Sequence, residues 1–218
     1  MTKHFQRELE KIKKKILSLG AMVEERVRMA IQAIEGFDGE IAEKIILSDH
    51  EIDEREVEIE EECLKVMALH QPVAVDLRFL VAVIKINNDL ERIGDQAVNI
   101  AQRVKTITKK ERFDFLFDYS VMAEKAEDML KMSLDALVNL DDDLAFKVLL
   151  LDDEVDEIKK EAYTLIKIAI SENPDNVSYL INLLLISRHL ERLADHATNI
   201  AEEVIYMIEG EIVRHGKL

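Results

Sequence analysis

Apolar residues recur at alternating spacings of four and three near the end of each half of the chain. The two series are Ile86, Leu90, Ile93, Ala97, Ile100 and Val104, and Ile186, Leu190, Leu193, Ala197, Ile200 and Val204. This spacing places each series on one face of an α-helix. The same periodicity predicts six helical runs, at residues 4–35, 40–69, 73–108, 114–138, 142–171 and 175–209. The short connections between them favour antiparallel neighbours.

The second half of the chain repeats the first. Residues 36–54 align with residues 139–157 at an offset of 103, and the segments LERIGDQAVNIA and LERLADHATNIA align at an offset of 100. Such self-similarity indicates duplication of one structural unit. We therefore predict an all-α fold of two tandem repeated three-helix bundles with six long antiparallel helices. The first repeat spans residues 1–110 and the second spans residues 111–218, with Asp38 and Asp141 as N-caps of the middle helices.

The composition narrows the class of protein. The 218 residues carry a formal charge of −16, and 48% of them are apolar, so the chain can bury a core but has little basic surface for phosphate backbones. We expect cations or basic protein surfaces as partners and no nucleic acid. The single cysteine excludes an internal disulfide, and no apolar stretch is long enough to span a bilayer. A cytoplasmic location is the expectation.

Acids and amides one helical turn apart form the candidate site. On the third and sixth helices they lie opposite the apolar face, where we expect them to be exposed. On the middle helices, pairs of aspartates lie nearer the edge of the apolar face, where a neighbouring helix could bring them close to the first set. The candidate metal ligands are the carboxylates Asp49, Asp53, Glu91, Asp95, Asp152, Asp156, Glu191 and Asp195.

Converging carboxylates favour a cation as ligand. Oxygen-only ligand sets suit hard divalent or trivalent ions such as iron, manganese, magnesium or calcium. The alternative is an ordinary solvated acidic face, since acids four apart are common in acidic helical proteins. Repetition of the pattern in both halves favours metal. We leave His189 and His196 out, because the first repeat has Asp89 and Gln96 at the equivalent positions.

Three segments resemble the PhoU family of phosphate-transport accessory proteins. They are residues 71–78 (QPVAVDLR), residues 89–95 (DLERIGD) with Asn99, and residues 187–196 (SRHLERLADH) with Asn199. The resemblance implies two three-helix bundles with multinuclear metal clusters at the acidic motifs, and it adds Asn99 and Asn199 to the carboxylates as metal ligands. It also implies a negative regulator of the phosphate-starvation response that binds a phosphate ABC transporter ATPase and a phosphate-sensing histidine kinase. A homodimer that reaches the membrane only through these partners is implied as well.

Two other functions compete with this one. A carboxylate-bridged iron oxidase or storage bundle would use Glu-x-x-His motifs on core-facing positions. The chain has no histidine with a glutamate three residues before it. It also lacks a phosphate-binding glycine loop and a nucleophile elbow, so we predict that the protein is not an enzyme. A scaffold whose acidic faces only keep it in solution is the third possibility.

Overall fold

The computed structural model describes residues 3–110, 113, 115 and 117–213. Its helices are α1 (Lys3–Gly36), α2 (Gly39–Leu47), α3 (His50–His70), α4 (Ala74–Ile107), α5 (Tyr119–Asn139), α6 (Asp142–Glu172) and α7 (Val177–Glu209), with a 3₁₀ turn at Pro174–Asn176. The part of the chain that is described contains no strand. The predicted all-α fold of six helical runs is confirmed, with the second run divided into α2 and α3.

The second run is divided at Ser48, between the end of α2 and the start of α3. The hydroxyl of Ser48 donates to the carbonyl oxygens of Lys44 (3.0 Å) and Ile45 (3.2 Å), at the point where α2 ends. Thr164 and Ser171 make bonds of the same kind inside the unbroken helix α6, so the hydroxyl of Ser48 accompanies the break without accounting for it alone. The second repeat has Leu151 at the equivalent position, and α6 runs unbroken through it. The interruption leaves Asp49 at the start of α3.

The predicted N-caps are confirmed. Asp38 lies in an extended conformation before α2 and accepts hydrogen bonds from the backbone amides of Glu40 and Ile41. Asp141 does the same before α6, accepting from the amide of Leu144 at 2.9 Å. Each carboxylate satisfies amides that have no partner within the helix. The same device therefore starts the middle run of both repeats.

Helices α4 and α7 lie side by side at the centre of the molecule. Each also packs against its own repeat, α4 against α1, α2 and α3, and α7 against α5 and α6. Both predicted apolar series are fully buried, with no member more than 1% exposed. With neighbours on several sides, each central helix presents only a narrow face to solvent.

The two repeats fill the same space beside the acidic residues with different side chains. Gly94 of α4 lies against Ile52 of α3, so closely that an added Cβ would be 3.0 Å from the isoleucine Cδ1. The equivalent pair in the second repeat is Ala194 and Val155, both buried. The first repeat places glycine on α4 opposite isoleucine on α3, and the second places alanine on α7 opposite valine on α6. The summed side-chain volume of the pair is therefore conserved, which is what close packing of this contact requires.

Two further expectations concern the whole chain. The division between residues 110 and 111 falls next to positions outside the described residues, so it stays a prediction. Within the described residues, none of the helices carries an apolar stretch long enough to cross a bilayer.

Candidate functional site

Four of the predicted ligands form what we call the first acidic cluster, consisting of Asp49 and Asp53 at the start of α3 and Glu91 and Asp95 on α4. The charge of Asp95 raises the pKa of Asp49, and the charge of Asp53 raises the pKa of both α4 acids. The two helices therefore bring the two pairs close enough for their charges to act on one another.

Burial and mutual repulsion make this cluster costly to ionise. Partial burial raises the pKa of Glu91 to about 7, with further increases from Asp95, Asp53 and Glu56. Burial also raises the pKa of Asp49 and of Asp95, and neighbouring carboxylates add to each effect. Both causes disfavour the charged form, so a bound cation would relieve the repulsion.

The second acidic cluster is the equivalent set, Asp152 and Asp156 on α6 with Glu191 and Asp195 on α7. The pKa of Asp195 is raised to about 6 by desolvation and by Glu191, Asp152 and Asp156. The exposed Asp195 side chain lies among three other carboxylates, and the negative charge of each disfavours its ionised form. Crowding of like charges is thus common to both repeats.

The two clusters differ in their internal partners. In the second, the Lys159 ammonium binds the Glu191 carboxylate and lies 3.9 Å from Asp156. Thr198 donates a hydrogen bond of 3.2 Å to Asp152. The first repeat has Glu56 and Val98 at the equivalent positions, so it replaces a cation with an acid and a hydroxyl with a methyl.

A buried arginine supplies opposite charge near the first cluster. Arg26 of α1 is 6% exposed and pairs with Glu51 at 3.6 Å, and its charge also acts on Asp49 and Asp53. Burial lowers the pKa of its guanidinium, and its Nη1 atom has no hydrogen-bond partner. Arg26 therefore offsets part of the negative charge on α3, whereas the Glu91 side of the cluster has Glu56 beside it.

The predicted exposure of the acidic rows is wrong for most of their members. Glu91, Asp95 and Glu191 are half-buried, as are both asparagines, Asn99 and Asn199. The expectation considered each helix alone, with one apolar face packed and the opposite face free. In the molecule α3 and α6 lie over the edges of these rows, and the α4–α7 contact covers part of the remainder. Asp195 is exposed, as predicted.

The donor chemistry of each cluster fits a hard metal ion. All eight carboxylates offer oxygen, the ligand atom that such ions prefer. Among the residues that the structure describes, no three of these carboxylates bring one oxygen each within 4.8 Å of one another. Side-chain rotation about the four acids would be needed to coordinate an ion. Asn199 donates to Asp89 at 3.1 Å, which directs its amide nitrogen toward α4. Metal binding by the ten residues stays a prediction.

A polar contact between the repeats escaped the sequence-based prediction. His196 lies 2.9 Å from an Asp89 carboxylate oxygen, and His189 lies 2.9 Å from the Gln96 amide oxygen. Residues 89 and 189 are equivalent, as are 96 and 196, so exchanging the repeats converts one contact into the other. This is the arrangement of a two-fold symmetric interface, formed here within one chain.

The signal for this contact was present in the repeat alignment. Positions 89 and 96 lie seven residues apart, two helical turns, and both are polar in both repeats. His189 and His196 were considered only as metal ligands. Each instead contacts the first-repeat residue that is equivalent to the other histidine. His196 offsets part of the rise in the pKa of Asp95 that burial and Asp53 cause, so the inter-repeat contact and the first acidic cluster are electrostatically linked.

Two helical repeats with their central helices paired and an acidic cluster on each define a duplicated helical protein. The family model described as the PhoU domain matches residues 16–104 and again residues 119–204. The chain belongs to the PhoU family.

Relatives and solved structures agree over nearly the whole chain. The phosphate-specific transport system accessory protein PhoU homolog of Clostridium acetobutylicum is 36% identical, with 97% of each chain covered. The homolog of the same name from Aquifex aeolicus is 37% identical over 96% of this chain and 95% of its own. The crystal structure of PhoU from Pseudomonas aeruginosa has a TM-score of 0.90 and 34% identity, covering 95% of this chain and 100% of that one.

A further crystal structure bears on the class of protein. The phosphate transport system regulatory protein PhoU from Streptococcus pneumoniae has a TM-score of 0.85 and 32% identity, covering 96% of this chain and 99% of that one. These relatives are named as accessory and regulatory proteins of a transport system and not as enzymes. The prediction that the chain is not an enzyme is confirmed, and the iron oxidase alternative is set aside.

Proposed function

We propose that this chain is an accessory and regulatory protein of a phosphate transport system. It acts as an adaptor between the ATPase subunit of a phosphate ABC transporter and a phosphate-sensing histidine kinase, and it shuts off the phosphate-starvation response when phosphate is plentiful. The observation that carries this proposal is the PhoU match in both repeats, with relatives covered end to end. An adaptor needs binding surfaces and no reactive side chains, which agrees with the absence of catalytic motifs in the sequence.

The acidic clusters hold hard metal ions in this proposal. Asp49, Asp53, Glu91 and Asp95 would hold iron, manganese, magnesium or calcium, singly or as a multinuclear cluster, and the second acidic cluster would do the same. A bound ion would supply positive charge that offsets carboxylate repulsion and would join α3 to α4. Support comes from the raised pKa values of Glu91 and Asp95 and from the oxygen-only donor set.

The two sites would not be equivalent. Lys159 already balances part of the charge of the second acidic cluster, and the first has Glu56 in its place. We therefore propose that the first cluster holds its metal more tightly. Asn99 and Asn199 are additional ligands in the proposal, through their amide oxygens.

The remaining elements of the proposal describe where and how the protein works. It is cytoplasmic and homodimeric, reaches the membrane only through its partners, and does not bind nucleic acid. The acidic balance of −16 supports the last point, since phosphate backbones repel such a surface.

A reporter strain tests the regulatory role. In the source organism without this gene, we expect a phosphate-starvation promoter to stay active in phosphate-rich medium, and the wild-type chain to restore repression. The Glu91→Gln/Asp95→Asn variant, the first-cluster variant, should restore it poorly.

The matched control is Glu157→Gln/Glu161→Gln, which removes two exposed acids four residues apart on α6. It should repress like wild type. Unchanged promoter activity on loss of the gene, at any phosphate concentration, would contradict the regulatory role. Full repression by the first-cluster variant would contradict the proposed role of the metal and would leave the regulatory role standing.

A further inference from the structure

Three ligand-type side chains meet at one end of the first repeat, away from the acidic clusters. His4 and Glu8 lie on α1, and His70 is the last residue of α3. Within the described part of the chain, this is the one group of three such residues whose ligand atoms all lie within 4.8 Å of one another. The Nε2 atom of His4 is 3.5 Å from Glu8 Oε1, and the Nε2 atom of His70 is 2.5 Å from Glu8 Oε2.

Local structure fixes two of the three side chains. Glu8 is one helical turn after His4, so the two share a face of α1. Helix α3 ends at His70 because Gln71 takes a left-handed conformation with φ of 46°. The ring of buried Phe5 packs against the His70 imidazole, with 5.0 Å between ring centroids. His70 and Glu8 are thus held at the surface of the core, while the exposed His4 ring packs edge-on against His70, with 5.8 Å between ring centroids.

We propose that His4, Glu8 and His70 bind a divalent transition-metal ion, with Zn²⁺ as the best match. Two imidazoles and one carboxylate form a ligand set that zinc accepts, with water in the open position. Imidazole also suits this ion far better than it suits magnesium or calcium. The site therefore differs in chemistry from the oxygen-only acidic clusters and should select a different metal.

Only small movements separate this geometry from coordination. Zinc–nitrogen and zinc–oxygen bonds of about 2.0 to 2.2 Å place tetrahedral ligand atoms roughly 3.3 to 3.6 Å apart. The Glu8–His70 contact must open by about 1 Å to reach that separation. The His4 side chain is 73% exposed and can rotate toward the other two without disturbing the core.

A bound ion would connect the first turn of α1 to the last turn of α3. The site would then stabilise the first repeat, because a ligand that binds only the folded state shifts the folding equilibrium toward it. The ion would also lie at the α3 end of the connection into α4, where Val73 is 74% exposed. The proposal does not depend on the regulatory function, and either can fail without the other.

Zinc titration of the untagged full chain tests the site. In the presence of excess Mg²⁺ to occupy hard-ion sites, we expect one equivalent of Zn²⁺ to bind and to raise the melting temperature. Glu8→Gln and His70→Gln should weaken binding by about tenfold or more. His4→Gln should do the same, and its exposed position avoids any loss of core packing. Glu10→Gln, an exposed acid on the same helix, is the matched control and should bind like wild type.

The visible absorption of bound Co²⁺ depends on its ligands. It would not change if these three residues only stabilised the fold. We expect the visible absorption of the Co²⁺-loaded chain to change in His4→Gln and His70→Gln and to stay constant in Glu10→Gln. Zinc binding that survives all three ligand substitutions would overturn the proposal. So would zinc binding lost only in the first-cluster variant, or weak binding of several equivalents with no preference for the wild-type chain.

Discussion

Replacing Glu91 with glutamine tests whether the first acidic cluster is under charge repulsion in the metal-free protein. Glutamine has nearly the same shape and cannot ionise, so the change removes charge without creating a cavity. The pKa of Glu91 rises from 4.5 to about 7 in the folded chain, chiefly through burial and then through Asp95, Asp53 and Glu56. At about 1.4 kcal/mol per pH unit, this rise corresponds to roughly 3 kcal/mol when the group is fully ionised.

Solvent reduces that magnitude. Glu91 is half-buried, and water screens a part of each interaction, so we expect Glu91→Gln to raise the free energy of unfolding by about 1 kcal/mol at pH 8. The sign follows from linkage. A carboxyl group with a raised pKa contributes stability that is present below its ordinary value of 4.5 and is lost as pH rises through about 7. The advantage of the variant should therefore be small at pH 5 and grow toward pH 8.

Urea unfolding in the presence of EDTA measures the effect. With a slope of about 2.5 kcal/mol per molar urea, 1 kcal/mol shifts the midpoint by roughly 0.4 M. Glu191→Gln is the matched control, because Glu191 is bound by Lys159 and should give no gain. A Glu91→Gln variant that is less stable than wild type at pH 8 in EDTA would refute the reasoning. An equal gain in Glu191→Gln would refute it as well.

Three further predictions concern packing, the inter-repeat contact and metal content. Gly94→Ala and Ile52→Val should each be neutral or should lower the free energy of unfolding by up to about 1.5 kcal/mol, and the double variant should be more stable than the sum of the two changes predicts. Additive changes in a double-mutant cycle measured by urea unfolding would contradict conservation of the summed volume. Asp89→Asn should cost about 1 to 3 kcal/mol of unfolding free energy, because the carboxylate accepts from Asn199 and contacts His196, and an unchanged urea midpoint would contradict this. Mass spectrometry of untagged protein should find a hard ion that the first-cluster variant loses; equal metal in both would exclude the first acidic cluster as its site.

The fold could be predicted from sequence because its information is local and repeated. The apolar series on α4 and α7, the caps Asp38 and Asp141 and the duplication each point to the same architecture. The division of the second run at Ser48 could not be predicted in the same way. Its hydroxyl competes with the helix only weakly, and a serine at the middle of a helix usually leaves the helix intact.

The spacing of the acidic pairs showed that they could meet, but it determined neither the rotation of the helices nor the surroundings of the acids. Periodicity gives the direction of a side chain on its own helix and carries no information about neighbouring helices. The packing of α3 against α4 therefore leaves Glu91, which lies near Asp53 and Glu56, half-buried where an exposed side chain was expected. The approach of His70 to Glu8 depends on the same kind of long-range contact, across 62 residues of sequence.

The most direct test of the proposed adaptor role is binding of the purified, metal-replete full chain to its two partners. The ATPase subunit of the organism's phosphate ABC transporter and the cytoplasmic part of its phosphate-sensing histidine kinase would each be titrated with the chain. We predict saturable binding to both and none to the ATPase subunit of an unrelated ABC transporter. Absence of binding to either partner, with the chain folded and metal present, would contradict the account.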